Sequence, residues 1–323
     1  MDYTTLGRTG LRVSVAGLGC GGSSRLGMKT GKSEAQSVAV VQRAMELGVN
    51  MFDTASAYGT ETIVGKAIKG RDRAGLVIST KAQFRKGGEL LPVAAAIEQL
   101  DASLRALQLD HVDVFHLHGL PPGLYDRVVA ELVPALLRER DKGKFRFLGA
   151  SESSSSDFLT EMAPRAAADP YWDVLMIAFH MLNQRPRHQV LPIAMRNGVG
   201  IQVMYVVREI FSNPERLRRA IREAVDAGSL PAALAADPEP LAFLLHQGGA
   251  ASLVDAAYRF VRHEPGCHVT LFGTGNIDHV ASNIASILRP PLPEADRRHL
   301  ADTFGHLTGV GLDLPTHFAK PAA

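Results

Sequence analysis

Residues 50–59 read NMFDTASAYG, and the architecture of the surrounding chain is best read outward from them. Met51 and Phe52 form the apolar end of a buried strand, and the polar residues after them place a carboxylate at Asp53 and a phenol at Tyr58 on the loop beyond. In folds built from parallel strands this edge collects functional side chains, because the loops leaving the carboxyl ends of the strands converge there. An acid followed five residues later by a tyrosine is also what a capped turn with a packed ring looks like. Partners elsewhere in the chain must decide between the two.

The same unit recurs on both sides. Short apolar strands are predicted at 15–20, 50–53, 76–81, 112–117, 147–151, 174–179, 200–205 and 268–272. Helical spacing of apolar residues predicts helices at 33–48, 61–69, 92–107, 126–141, 156–165, 187–197 and 278–288. The first helix has a Ser33 cap, an acid in its first turn and a closing Gly48. Strands that are continuous apolar runs suit a parallel sheet covered on both faces. Eight β/α units in 323 residues predict a (β/α)8 TIM barrel, preceded by an N-terminal β-hairpin around Gly7–Gly10. One domain over 1–323 is expected, with an excursion at about 208–250 after strand seven that passes over the functional face.

Composition agrees with an ordinary globular chain: 46% hydrophobic, 21% charged and a formal charge of +2. The basic run at 216–222 alternates with apolar positions as a solvated helix face does, so no nucleic-acid partner is expected. The opening MDYTTLGRTG lacks the layout of a signal peptide, and no apolar run reaches the ~20 residues of a membrane span. A cytoplasmic protein with no membrane partner is the expectation, and no assembly partner is specified. Cys20 and Cys267 read as separate reduced thiols.

Three strand ends after the first carry polar groups that packing does not require. The second ends in Asp53 with Tyr58 beyond, the third in Lys81, the fourth in His118. A lysine ending a buried strand needs a counter-charge, and Asp53 on the adjacent strand supplies it. A cation beside a phenol favours the phenolate, so Lys81 is expected to lower the pKa of Tyr58 and improve it as a general acid. His118 is expected to orient a carbonyl oxygen by donating a hydrogen bond.

Here the chain resembles the aldo-keto reductases. The resemblance runs through LGRTGLRVSVAGLGCGG, FDTASAYG, ISTK, the D-x4-H of Asp113 and His118, GAS at 149–151, and the Gly273…Asn283 spacing near the end. It implies Tyr58 as proton donor, Asp53 and Lys81 as its tuning pair and His118 as the substrate-orienting group. It also implies reversible conversion of an aldehyde or ketone to an alcohol, with hydride from NADP, or NAD, lying across the barrel mouth. The partner is thus a small carbonyl or alcohol.

Departures from the family pattern fall on the cofactor side. Where members carry Ser-Asn and Gln for the nicotinamide amide, this chain has Ser151, Glu152 and Met176. The ring-stacking aromatic falls at Val206, with Tyr205 beside it. Gly273 and His279 replace the basic residues of the adenine end, while Thr274, Gly275, Asn276 and Asn283 suit phosphate and adenine contacts. Either an altered reductase or a cofactor-binding relative without turnover, such as a sensor or partner subunit, follows.

Gly17–Gly22 fits GxGxxG, but the helix starts only near Ser33 and Asp53 lies much further along than the acid about 20 residues on that the fingerprint needs. A glycine-lined loop at Gly21 that lets a ligand approach the backbone is expected instead. His116 and His118 share one strand face, which raises a metal-dependent hydrolase as a rival, though no later strand end completes a ligand set and no metal site is assigned. His180 reads either as a pocket residue or as core.

Overall fold

The computed structural model describes residues 1–153 and 156–312. Eight parallel strands close into a barrel: β1 (Ala16–Gly19), β2 (Met51–Asp53), β3 (Val77–Ala82), β4 (Val112–Leu117), β5 (Phe145–Ser151), β6 (Val174–Ala178), β7 (Gly200–Met204) and β8 (Val269–Phe272). Each strand pairs with its sequence neighbours, and β8 closes on β1. The (β/α)8 barrel and the hairpin before it, Tyr3–Thr5 against Arg12–Ser14, are as the sequence predicts. The end of the expected domain, residues 313–323, lies outside the described residues.

Period-two alternation sorts the strand residues into two cores. Met51, Val77, Val114, Val174, Met176, Val269 and Leu271 point inward, and the hairpin region adds Leu6, Leu11 and Val13 to plug the lower end of the barrel. Their alternates, among them Phe52, Ile78, Phe115, Leu148 and Ile177, pack outward on the helices. Leu6 sits against Gly200, where a Cβ would come within 2.7 Å of its side chain. Burying leucine fully is worth roughly 1.5–3 kcal/mol, so the plug is a real part of barrel stability.

The first helix, Glu34–Glu46, has a reciprocal Ser33/Gln36 capping box, and Gly48 beyond it takes φ +87°. Several boundaries differ from expectation: the helix predicted at 187–197 is split into Pro186–Gln189 and Leu191–Asn197, and two others depart further. The helix predicted at 156–165 is Met162–Ala168, because the Asp157 carboxylate accepts from the N–H groups of Glu161 and Met162 and fixes the start there. The one predicted at 126–141 is interrupted by a π-turn, Val128–Leu132, before Val133–Asp141.

After β7, Asn213 caps the charged helix Pro214–Asp226, and a further helix, Leu253–Arg262, leads back into β8. That last helix and Glu294–Phe304 are not foreseen in the sequence. Among the described residues no helix is long and apolar enough to cross a membrane.

Candidate active site

The C-terminal mouth of the barrel opens into a cleft of about 1060 Å³ lined by Asp53, Tyr58, Lys81 and His118 on one side. Register brings them together: Asp53 on β2 faces Ser79 on β3, and Lys81 on β3 faces His116 on β4. Tyr58 lies on a short 3-10 turn, Ser56–Tyr58, closed by Gly59 at φ +70°. Its ring presses on Gly21, where a Cβ would stand 2.6 Å away. Gly21 borders the cleft, and its missing side chain makes room for the Tyr58 ring.

Lys81 is fully buried and donates to both Asp53 oxygens, 2.7 Å to Oδ1 and 2.6 Å to Oδ2, and to the Thr54 carbonyl at 2.8 Å. Ser79 Oγ adds a third hydrogen bond to Asp53, 3.0 Å to Oδ1. Burial works against the charge on Lys81, but Asp53 and Tyr58 raise its pKa above the ordinary lysine value. Burial pushes the Asp53 carboxyl up while Lys81 and Ser79 oppose it. With three donated hydrogen bonds on its oxygens, we assign Asp53 as the carboxylate of an ion pair.

Tyr58 corrects one expectation: its pKa is raised, not lowered. Burial is the largest cause, Lys81 opposes it, and the Asp53 charge adds to it. The reason is that the cost of burying a phenolate outweighs the opposing charge of Lys81, 5.1 Å from the ring centre, which Asp53 partly offsets. Tyr58 therefore keeps its proton at neutral pH.

Tyr58 Oη lies 3.5 Å from His118 Nε2, with the rings edge to face at 5.4 Å. Burial, Lys81 and Arg85 bring the His118 pKa down to about 3, so the imidazole is neutral. Gln83 Nε2 lies 3.4 Å from Nδ1. Donation from the Gln83 amide to Nδ1 places the ring proton on Nε2, facing the cleft. Gln83, Ser79 and the Thr54 carbonyl are absent from the sequence reading. The signal for two of them was present: Ser79 lies two residues before Lys81 on the same strand face, and Gln83 follows two residues after it, just past the strand end.

The opposite wall holds Ser151, Glu152, Met176, Met204, Tyr205, Leu271, Gly273, Thr274, Gly275, His279 and Asn283. Ser151 Oγ accepts from Gly119 N at 2.9 Å, tying β5 to the turn after His118. Glu152 Oε2 accepts from Ala178 N at 2.7 Å. Tyr205 sits at φ +63°, an unusual conformation for an aromatic residue, which turns the chain out of β7; Arg208 stacks on its ring at 4.4 Å. Gly275 meets the loop after β1, where a Cβ would lie 2.5 Å from Gly27. Thr274 and Asn276 are occupied locally: Thr274 Oγ1 accepts from Asn276 N, and Asn276 Oδ1 from Asp278 N, which turns the Asn276 side chain to capping. Arg208, Ser212 and Arg216 also line the cleft and are missed in the sequence.

His180 is core: it is fully buried, its Nδ1 accepts from Leu182 N, and its edge meets Phe211. His116 lies inside the barrel below His118, against Gly149. Among the described residues no group of three or more His, Cys, Asp or Glu side chains is placed to hold a metal ion. Cys20 and Cys267 are unpaired thiols.

A closed parallel barrel with a buried ion pair, a phenol and a neutral imidazole at successive strand ends defines the class: a (β/α)8 barrel with its polar site at the C-terminal mouth. Residues 18–302 match the model of the Aldo/keto reductase family, and the chain belongs to that family. It is 33% identical over 207 residues to L-galactose dehydrogenase of Arabidopsis thaliana, covering 62% of this chain and 64% of that protein. It is 31% identical over 213 residues to aldo-keto reductase YhdN of Bacillus subtilis (strain 168), covering 62% of this chain and 60% of that one. The match thus spans less than two thirds of either relative. The holo form of aldo-keto reductase AKR11C1 from Bacillus halodurans shares the fold, with a TM-score of 0.71 at 24% identity over 98% of this chain and 99% of that one.

Proposed function

We propose that this protein is an NAD(P)-dependent oxidoreductase interconverting a carbonyl compound and its alcohol, with Tyr58 as proton donor. The observation that carries the reading is the Tyr58 hydroxyl at the open cleft, 3.5 Å from His118 Nε2 and backed by the buried Lys81–Asp53 pair. A carbonyl oxygen received between Tyr58 and His118 accepts a hydrogen bond from each. As hydride arrives at carbon, negative charge grows on that oxygen. Its basicity rises towards that of an alkoxide, well above that of a phenolate, so a phenol with a raised pKa still delivers its proton downhill. Lys81 then steadies the phenolate that remains, and Asp53 keeps Lys81 charged and in place.

The cleft fits a dinucleotide. Gly273, Thr274 and Gly275 lead into the helix Asp278–Leu288, whose N-terminal N–H groups suit a diphosphate. Ser151 and Glu152 offer polar groups for the nicotinamide amide, and Tyr205 offers a ring face. When bound, the dinucleotide supplies the hydride. The wall at Gly273–Asn283 presents His279 and no lysine or arginine; apart from Lys81, held by Asp53, the cations lining the cleft are Arg208 and Arg216, the latter paired with Glu209, which leaves little fixed charge to favour NADP over NAD. The polar rim of Ser23, Ser24, Glu209 and Ser212, with a relative named for L-galactose, favours a hydroxylated carbonyl or alcohol as substrate.

The test is a fluorescence titration with NADPH and NADH, followed by turnover of an aldehyde panel by the native chain and Tyr58→Phe. Binding of at least one dinucleotide is expected, with turnover lost in Tyr58→Phe and binding kept. No binding of either removes the oxidoreductase reading, and binding with no turnover by the native chain leaves a cofactor-binding relative.

A further inference from the structure

The proton-transfer scheme above leaves one buried acid of the cleft unused. Glu152 is 5% exposed at the end of β5. Its Oε2 accepts from Ala178 N, its Oε1 is buried without a partner, and no basic side chain pairs with it among the described residues. Asp157, from the loop after β5, is the charged group facing it, and that carboxylate is held by the N–H groups of Glu161 and Met162. The β4 side contributes His118, which is neutral. The β6 side contributes Met176 and Ala178 and, past the strand end, the neutral His180. Burial raises the Glu152 pKa to about 8, with the Ala178 N–H opposing and Asp157 adding. A buried carboxyl with one backbone donor and no cation holds its proton near neutrality.

The position of Glu152 gives that proton a use. Beside the Tyr58–His118 pair, the floor of the cleft is apolar at Met176, Met204, Leu271 and Phe272, while Ser151 and Glu152 are the polar groups one strand from His118. The amide of a nicotinamide needs polar partners and its ring an apolar bed, so the amide belongs on the Ser151–Glu152 side. We infer that Glu152 reads the redox state of the nicotinamide, keeping its proton beside the neutral reduced ring and releasing it beside the cationic oxidised ring. This rests on the dinucleotide reading above.

The physical basis is opposite in sign for the two ligands. An oxidised ring brings a positive charge, and a charge within about 4–6 Å lowers a carboxyl pKa by roughly 1–3 units. The reduced ring brings none. Against it, ionised Glu152 is a buried, uncompensated charge. Raising the pH therefore tightens binding of the oxidised cofactor and weakens binding of the reduced one.

The measurement is the dissociation constant of the full chain for NADH and NAD+, and for NADPH and NADP+, between pH 6 and 9.5. Calorimetry in two buffers of different ionisation enthalpy counts the protons exchanged. The ratio of reduced to oxidised dissociation constants is expected to rise at least about tenfold across that range, with protons released on oxidised but not reduced binding. Glu152→Gln, a neutral side chain of similar size that keeps a donor, is expected to flatten the ratio to within about twofold and abolish the proton release. A flat ratio in the native protein overturns the inference whether or not the variant folds. An undiminished slope in a folded Glu152→Gln overturns it too. Binding of no dinucleotide at any pH removes the reading on which it rests.

Discussion

The two walls of the cleft are finished to different degrees. On the β2–β4 wall the polar groups hold one another: Asp53 takes hydrogen bonds from Lys81 and Ser79, Lys81 also reaches the Thr54 carbonyl, and His118 lies between Tyr58 and Gln83. On the β5–β8 wall Glu152 leaves an oxygen unmatched among the described residues, Tyr205 holds a strained φ of +63°, and Met176 offers only a thioether to an amide. The first wall is preorganised, which is what developing charge in a transition state requires. The second has polar capacity left for a ligand to satisfy. On the proposed function, the contrast teaches that proton handling would be a property of the protein alone, while hydride handling would wait on what binds.

The hardest blow to that contrast is struck at Lys81. Lys81→Met leaves Asp53 buried without its cation, a loss of about 3–5 kcal/mol in unfolding free energy by denaturant titration, and it also removes the charge behind Tyr58. Tyr58→Phe isolates the chemistry: turnover is expected to fall roughly 10²–10⁴-fold with dinucleotide affinity within about twofold of native. Equal loss of both in Tyr58→Phe would mean that the walls are not separable.

Acid tests the buried imidazoles that underlie both walls. His116 and His180 are fully buried with pKa values brought down to about 3, by burial first and then by Lys81 and Arg208 respectively. The unfolded chain takes up protons near the ordinary histidine value while the folded chain does not. Stability is therefore intact above about pH 6.5 and lost as pH falls from there towards 3, by roughly 2–4 kcal/mol between pH 6.5 and 5 for the pair. His118 is lowered in the same way and adds to the loss that chemical denaturation at the two pH values measures, so His180→Gln should remove about a third of the whole. An unchanged slope in that variant would mean that other groups carry the acid sensitivity.

Gly21→Ala asks how tightly the first wall is set. The new Cβ must displace the Tyr58 ring that lies 2.6 Å from its position. A cost of about 1–3 kcal/mol in stability and a 10–100-fold loss of turnover are expected. Native turnover in a folded variant would show that the ring has more freedom than the contact implies.

The first wall was also the legible one. Asp53, Lys81 and His118 end successive strands whose period-two pattern is written in apolar residues, so strand order alone brings them together. What sequence missed there was the sign of the Tyr58 shift, since residue types do not reveal how fully Asp53 neutralises Lys81 or how far burial outweighs both. The second wall depends on loops. Arg208 reaches the cleft only because the backbone takes positive φ at Tyr205 and again at Arg208 itself, and no spacing rule announces that for non-glycine residues. Helix Leu253–Arg262 was hidden for a related reason: the Pro- and Gly-rich stretch before it reads as continuous excursion until the chain is seen to return to β8.

The smallest expected effect is the most discriminating, because it tests whether preorganisation of the first wall extends to a proton position. Gln83 touches neither end of the proposed proton transfer; it acts through His118 by holding Nδ1 as the acceptor and Nε2 as the donor. Gln83→Ala removes that preference, and a neutral imidazole then shares its proton between two nitrogens of similar basicity. A hydrogen bond of this kind is worth about 0.5–1.5 kcal/mol, which sets the expected loss in kcat at roughly 2–10-fold. The KM for the dinucleotide should not move, since Gln83 is not on the cofactor wall, and the chemical shifts of the two His118 ring nitrogens should shift towards an average. A fall in kcat with the nitrogens still distinct would place the role of Gln83 in packing rather than in the choice of tautomer.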